Sequence, residues 1–511
     1  MTLEPGFEAF ARAYERKEVQ VVYHRLVDDL ETPVSAYLKV AHGEPYSFLF
    51  ESVEGGAWRG RYSALVMAPD LVWRCRGGAA EIAEGEDIAA GRFRTEEAGA
   101  LDSLRDLVAR SRLSLPAGLP PMAAGVFGVI GYDMIRLVER LPHINPDPLD
   151  LPDAVLIRPQ VVVIFDGIAQ EILLVTTARP AGASAKDAYA AAKQRIEGVV
   201  EALKRPLAPP APGVGPDPDR FQSPVSRESY AAIVERAKAY IAAGDIFQVV
   251  PSHRLRAPFA RDPFAFYRSL RRTNPSPFLY FLNFPQFQLA GSSPEILVRL
   301  RDGKITIRPI AGTRPRGATP EDDARLEAEL VADPKERAEH LMLLDLGRND
   351  VGRVAMLRDA GRNAPAARQD SRPHVRVTAS FFVERYSHVM HLVSNVEGDA
   401  PEGLDPVDVL MAALPAGTLS GAPKVRAMEI IDELESEKRG VGFAGAIGYF
   451  GADGSVDTCI VLRTALFKDG MVYVQAGGGV VADSDPDAEY EETLHKARAL
   501  RQAAAESWRF G

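Results

Sequence analysis

The stretch AGAIGYFGADGSVDTCIVLRTALFKDGMVYVQAGGGVV, residues 444–481, constrains the fold more than any other. It is a series of β-type runs punctuated by Asp453-Gly454 and Asp469-Gly470. Asp-Gly steps accept the positive φ of tight hairpin turns, so runs joined this way pair antiparallel. AVLIRPQVVVIFDGIAQEILLVTTA (154–178) predicts another hairpin around Asp166-Gly167. SFLFESVE, ALVMAPDLVWRC, FLYFLNFPQFQLAGSS, ILVRLRDGKITIRPIAG and ERYSHVMHLVSNVEG add further strands and turns.

Helices fall between them, at LDSLRDLVARSRL, KDAYAAAKQRIEGVVEALK, YAAIVERAKAYIAAGD, DPFAFYRSLRRTN, PEDDARLEAELVADPKERAEHLMLLDLGRND, DPVDVLMAAL and APKVRAMEIIDELE. Apolar residues recur there at spacings of three and four. Hairpin-joined strands with helices outside predict an α+β fold: large, mostly antiparallel, sandwich-like sheets flanked by helices. No fixed-period repeat is present.

RPLAPPAPGVGPDPDRFQSP (205–224) is too rich in proline and glycine for helix or strand and reads as a linker. It separates an N-terminal part, 1–204, from a second part, 225–511. LRDAGRNAPAARQDSRP (357–373) reads as an exposed loop within the second part.

Net charge is −10, with acids and bases interspersed, so no broad nucleic-acid surface is expected. Cys75 and Cys459 are too few and too far apart for a disulfide framework or zinc site. The N-terminus lacks the apolar core of a signal peptide, and no run is long enough to span a membrane. A cytoplasmic protein is expected.

Two stretches carry the chemistry. DPKERAEHLMLLDLGRND (333–350) places Glu336 and Glu339 three residues apart, and DSDPDAEYEETLHKARAL (483–500) repeats that spacing at Glu489 and Glu492. Residues three apart share a helix face, and like charges there repel. One reading is two unrelated helix starts, with Asp333 and Asp485 as caps and acids complementing the helix dipole. The other is two carboxylate pairs converging on one hard cation, with Mg²⁺ favoured over zinc because neither His nor Cys accompanies them.

AGGGVVADSDP (476–486) and LPAGTLSGAPK (414–424) offer backbone amides, the Thr418 and Ser420 hydroxyls and Lys424 to an anion, or are plain turns. Arg463 stands within an apolar strand, which favours a buried carboxylate partner. His391 in SHVMHLVSN is either structural or catalytic.

PIAGTRPRG (309–317), EHLMLLDLGRND (339–350), ERYSHVMHLVSNVEG (384–398), LPAGTLSGAPKVRAMEIIDELE (414–435) and AGGGVVADSDPDAEYEETLHKA (476–497), in this order, resemble the chorismate-utilising enzymes. Within that family they are similar to the large, chorismate-binding subunits of anthranilate synthase. The resemblance implies Mg²⁺ bound directly by Glu339 and Glu492, with Glu336 and Glu489 acting through water. It implies catalytic roles for His391, Thr418 and Glu295, His391 serving in proton transfer or in polarising the departing hydroxyl. It implies substrate contacts from Arg463, Gly478, Gly479 and Lys496.

Two positions resemble this branch more than its sisters. Ala311 stands where aminodeoxychorismate-forming members carry a nucleophilic lysine, and Gln248 where isochorismate-forming members carry a lysine base. An external nucleophile, ammonia, is then implied. Neither cysteine sits in a glutaminase elbow, so a separate glutamine amidotransferase subunit is the expected partner, in a homo- or hetero-oligomer. Phe443 departs from the family's tyrosine, which helps hold the enolpyruvyl carboxylate; phenylalanine cannot donate that bond. The 357–373 loop is also longer than the family's.

FLFESVEGG (48–56) and NPSPF (274–278) resemble the family's tryptophan inhibitor site. They implicate Glu51, Ser52, Asn274, Pro275, Ser276, Pro277 and Phe278, and imply feedback inhibition by L-tryptophan. The implied activity converts chorismate and ammonia to anthranilate and pyruvate through aminodeoxyisochorismate. Its rivals are an aminodeoxychorismate synthase, which Ala311 opposes, and a non-catalytic tryptophan sensor, which Phe443 favours.

Overall fold

A computed structural model of the chain describes residues 1–52, 60–207, 220–356, 375–385 and 389–510. The segment 357–373, expected to be a loop, and most of the 205–224 linker lie outside the described residues.

The chain folds as expected from its hairpins. Ala154–Asp166 and Glu171–Ala178 pair antiparallel with Asp166 opposite Glu171. Thr464–Lys468 and Met471–Gly477 do the same, with Lys468 opposite Met471. The intervening Asp469 and Gly470 take φ of 51° and 73°, the left-handed pair that a two-residue turn of this hand requires.

Among the described residues, twenty strands join one antiparallel network that curls until it closes on itself. Adjacent residues along a strand alternate between two apolar layers. Phe48, Tyr280 and Leu282 face an inner core with Phe127, Val162, Leu289 and Ile447. Leu49 and Phe281 face outward, where they meet Phe10, Tyr37, Phe264 and Leu500 from the covering helices. Burial on both faces explains why these strands read as continuous apolar runs.

A second outer layer holds Leu104, Leu344, Val351 and Leu410 from the helices Ala100–Arg110, Pro334–Ala355 and Pro406–Ala413. The architecture is thus a curled sheet sandwich with helices outside. Strands from before and after the linker pair with each other. Ser47–Glu51 lies beside Phe278–Asn283, and Gly125–Ile130 beside Ala446–Gly451. No helix of the described residues is long and apolar enough to cross a membrane.

Candidate active site

Both carboxylate helices begin as the Asp-Pro steps predict. Asp333 accepts from the N–H groups of Lys335 (2.9 Å) and Glu336 (3.2 Å), and Asp485 from that of Ala488 (2.9 Å). Such caps contribute about 0.5–2 kcal/mol each. The cap is therefore the aspartate in each case, and the glutamates behind it remain to be explained.

The two helices, Pro334–Ala355 and Pro486–Glu506, border one cavity of about 770 Å³. Glu339, Glu489 and Glu492 line it together with Glu295, His391, Thr418, Arg463, Gln248, Ala311, Phe443, Gly479 and Lys496. Most of the residues singled out in the sequence thus meet in one place, although they lie up to 248 positions apart.

The cavity has an acidic side. Burial holds Glu339 above the ordinary glutamate range, and its neighbours Glu336 and Glu492 push the same way. Burial also raises Glu489, despite the Ser484 hydroxyl donating to its Oε1 at 2.7 Å. The other oxygen of Glu489 is buried with no hydrogen-bond partner among the described residues. Glu492 pairs with Lys496 at 2.7 Å, and Lys496 also donates to the Gly477 carbonyl at 3.0 Å. Glu336 is held by Arg314 at 2.9 Å, at the edge of this group.

Among the described residues, no three acidic, histidine or cysteine side chains form a ready-made metal cluster. The donor set still fits Mg²⁺, which takes few carboxylates directly and fills its shell with water and substrate oxygens. The unpartnered Glu489 oxygen and the crowded carboxylates are what a hard cation would relieve.

Glu295 and His391 line the same cavity. Glu295 is buried, and burial pushes its carboxyl up to about 8 against the opposing pull of Thr418 and Arg463. The Thr418 hydroxyl donates to it at 3.3 Å. At neutral pH Glu295 is therefore mostly protonated. His391 is held down to about 4 by burial and by Arg463, so it is neutral. Its Nδ1 lies 3.0 Å from the Gly312 carbonyl, which can only accept, so Nδ1 carries the proton and Nε2 is the basic nitrogen.

This geometry depends on a β-bulge between Ala311 and Thr313. Gly312 adopts φ of +71° there, and a Cβ would stand 3.0 Å from Oε2 of Glu336 and 3.1 Å from Leu330.

Three expectations are corrected. Arg463 is not inside a strand: the chain leaves Val456–Ile460 and re-enters the sheet at Thr464, with Arg463 between at φ of +48°. A non-glycine residue in that region costs on the order of 1 kcal/mol, and the turn aims the guanidinium at the cavity. Lys424 and Ser420 are not anion ligands. Lys424 forms a buried pair with Asp350 at 2.7 Å, and the Ser420 hydroxyl donates to the Ala416 carbonyl at 2.9 Å. Gly478 does not border the cavity, and its N–H donates to the Pro251 carbonyl at 3.3 Å; Gly479 is the member of the pair that does border it.

Phe443 is buried beneath the guanidinium of Arg439, 5.3 Å from its ring centroid. Tyr132 packs in the same cluster, and its buried hydroxyl has no partner among the described residues.

The proposed inhibitor residues form a separate group on the sheet. Glu51 lies opposite Leu279, one residue beyond Phe278. Its buried carboxylate accepts from the Tyr267 hydroxyl and from Arg271 at 3.0 Å. Ser52 accepts from the Gly60 N–H at 2.8 Å. Asn274 donates to Ser292 at 3.4 Å, and Pro275, Ser276 and Pro277 follow it in the connection to the strand. Residues 53–56 of that motif lie outside the described residues.

Sequence reasoning missed Arg314, Asp350 and Gln475. Each acts through a partner distant in sequence, and nothing local marks them.

A curled antiparallel sandwich thus encloses a pocket lined by carboxylates, a buried acid, a neutral histidine and Arg463, the makings of an enzyme site. The chain belongs to the chorismate binding enzymes, whose family model matches residues 62–502. Within that family it stands among relatives named anthranilate synthase component 1. That of Cereibacter sphaeroides is 56% identical over 509 residues, covering 99% of this chain and 98% of the relative. That of Pseudomonas putida is 46% identical over 483 residues, covering 93% of each. The solved anthranilate synthase component I of Streptococcus pneumoniae TIGR4 superposes with a TM-score of 0.75 at 34% identity, covering 93% of this chain and 98% of that one. The menaquinone-specific isochorismate synthase of Escherichia coli shares the fold, with a TM-score of 0.69 at 20% identity, covering 98% of each.

Proposed function

We propose that the chain is the chorismate-converting subunit of an anthranilate synthase in the cytoplasm, using ammonia from a glutaminase partner and feedback-inhibited by tryptophan. The observation that carries this reading is that a protonated Glu295 and a neutral His391 line one cavity whose wall has Gln248 and Ala311, not lysines. Two titratable groups pushed apart by their surroundings mark an acid and a base. With no amine at those two positions, the nucleophile comes from outside.

Chorismate is a dianion. Arg463 lines the cavity near Glu295 and His391, and the glycine turn lies beside the carboxylates, where a Cβ at Gly478 would stand 2.6 Å from Glu489. Glu339 and Glu492 would hold Mg²⁺ directly, with Glu336 and Glu489 behind it. The ion would supply positive charge for the ring carboxylate of the substrate. Glu295, steadied by Thr418, gives its proton to the C4 hydroxyl as that group leaves as water. Ammonia bonds to C2 as the ring double bonds shift and the C4–O bond breaks, and its surplus proton restores Glu295 directly or through water, giving aminodeoxyisochorismate. His391 Nε2 then accepts the C2 proton, the C3–O electrons leave with enolpyruvate, and protonation of its methylene carbon gives pyruvate, leaving anthranilate.

Anthranilate fluorescence tests this with chorismate, Mg²⁺ and an ammonium salt at mildly alkaline pH, with and without tryptophan. The expected outcome is product that requires Mg²⁺, disappears with chelator and falls with tryptophan. Unconsumed chorismate under these conditions refutes a competent synthase. Full turnover at saturating tryptophan with no shift in melting temperature refutes the inhibitor site.

A further inference from the structure

The helix that carries Glu336 and Glu339 also brings a charge of opposite sign to the cavity. Lys335, Ala338, Glu339 and Met342 all border it. Spacings of three and four put them on one face of the helix Pro334–Ala355. Lys335 thus stands one turn nearer the helix start than Glu339, exposed at the cavity rim.

A lysine is out of place there by local rules. The start of a helix carries partial positive charge and favours acids. A lysine four residues ahead of a glutamate is also the weaker order for a helical ion pair. The acids nearest to it in the chain are already engaged: Arg314 pairs with Asp333 at 2.8 Å and with Glu336 at 2.9 Å. Among the described residues, no ion pair or side-chain hydrogen bond engages the Lys335 ammonium.

Its charge nevertheless reaches both carboxylate helices, where it opposes the burial that raises Glu339 and Glu489. Lys496, by contrast, is held by Glu492 at 2.7 Å and by the Gly477 carbonyl at 3.0 Å. An ammonium kept at a cavity rim, against the helix dipole and without a partner, suits an anion that comes and goes.

We infer that Lys335 is a substrate-binding residue, which reaches from the cavity rim to a carboxylate of the incoming dianion beside the two carboxylate helices. This rests on the proposed chorismate-converting function and adds a contact on the side of Glu339 and Glu489. In the empty site the same ammonium offsets the crowded glutamates. A divalent cation entering there would meet it as a like charge. Lys335 therefore works in two directions: it weakens the hold of the empty site on Mg²⁺ and strengthens the hold of the loaded site on the substrate. A lysine that only shaped the helix would move both affinities the same way, and a solvated one would move neither.

The test measures the two bindings separately on the full chain. Mg²⁺ alone is titrated calorimetrically into the unaltered protein, Lys335→Met and Lys335→Arg. Chorismate is then titrated into each Mg²⁺-saturated protein without ammonia. Methionine keeps the apolar stem and drops the charge. Lys335→Met is expected to bind chorismate about tenfold more weakly, since a charge-assisted contact is lost, and Mg²⁺ about threefold more tightly. Its melting temperature should not fall, because a cation has left a helix start. Lys335→Arg should stay near the unaltered values for both ligands. With ammonium present, KM for chorismate in Lys335→Met should rise about tenfold while kcat stays within about threefold. Unchanged chorismate affinity in Lys335→Met overturns the contact. A parallel loss of Mg²⁺ and chorismate also overturns it, since the lysine would then be a prop for the helix. Failure of the underlying function is separable, because the unaltered chain would itself leave chorismate unbound or unconverted.

Discussion

Glu295 is where a single group sets the pH behaviour. Its pKa is raised to about 8, so the folded protein holds this proton more tightly than the unfolded chain does. The stability that the proton contributes is complete below the ordinary glutamate range and is lost as pH climbs through about 8. Catalysis that needs the acid form falls over the same interval, although more ammonia is then deprotonated. At saturating ammonia the rate should therefore fall above about pH 8 in the unaltered protein, and Glu295→Gln should lose that limb and about 10²–10⁴ of turnover. A falling limb that survives in the variant would assign it to another group. The sequence offered Glu295 through the family resemblance, but nothing in it announced a raised pKa, which comes from burial. Arg463 shows the opposite case: the residue type was conspicuous, while the left-handed turn that aims it was hidden inside an apparently uninterrupted apolar run.

At the scale of elements, the placing of Thr418 depends on a buried ion pair. Lys424 opens the helix Lys424–Leu434, pairs with Asp350 on the carboxylate helix and donates to the Ala413 carbonyl at 3.2 Å. Three helices are thereby tied around the turn Gly417–Leu419. The turn packs so closely on the carboxylate helix that a Cβ at Gly417 would lie 2.9 Å from Leu346. Burial raises Asp350 and the lysine opposes it, so removing the lysine strands a buried carboxylate. Lys424→Met should lower the unfolding free energy by about 3–5 kcal/mol in a denaturant titration, and adding Asp350→Leu should recover most of it. A double variant as weak as the single one would mean that the pair acts through packing alone. The helices themselves were legible, because Asp-Pro caps and apolar spacing are local signals. The pairing was not, because Lys424 reads the same whether it meets a substrate anion or an aspartate 74 positions away.

Across the whole molecule, the proline-rich break at 205–224 divides the sequence while the sheet ignores it. The ladder of Ser47–Glu51 with Phe278–Asn283 and that of Gly125–Ile130 with Ala446–Gly451 both join strands from opposite sides of it. The inner core likewise mixes Phe48 and Phe127 with Tyr280 and Ile447. The sequence shows where a chain is interrupted, but strand partners chosen across hundreds of residues leave no local trace. The proposed inhibitor residues also sit on this shared sheet, where the Ser292 N–H donates to the Arg463 carbonyl at 3.2 Å and Asn274 reaches Ser292. A tryptophan bound near Glu51 would thus have a short mechanical path to the strained turn that carries Arg463. Cutting the chain within 208–219 separates these ladders without removing a described residue. Each half alone would expose a long unpaired strand edge and half an apolar core, which favours aggregation. Produced apart, 1–207 and 220–511 should show no cooperative unfolding transition. Produced together, they should co-purify and make anthranilate from ammonium and chorismate with tryptophan sensitivity intact. Activity from 220–511 alone would show that the catalytic strands close their own sheet, and that the shared ladders serve only regulation.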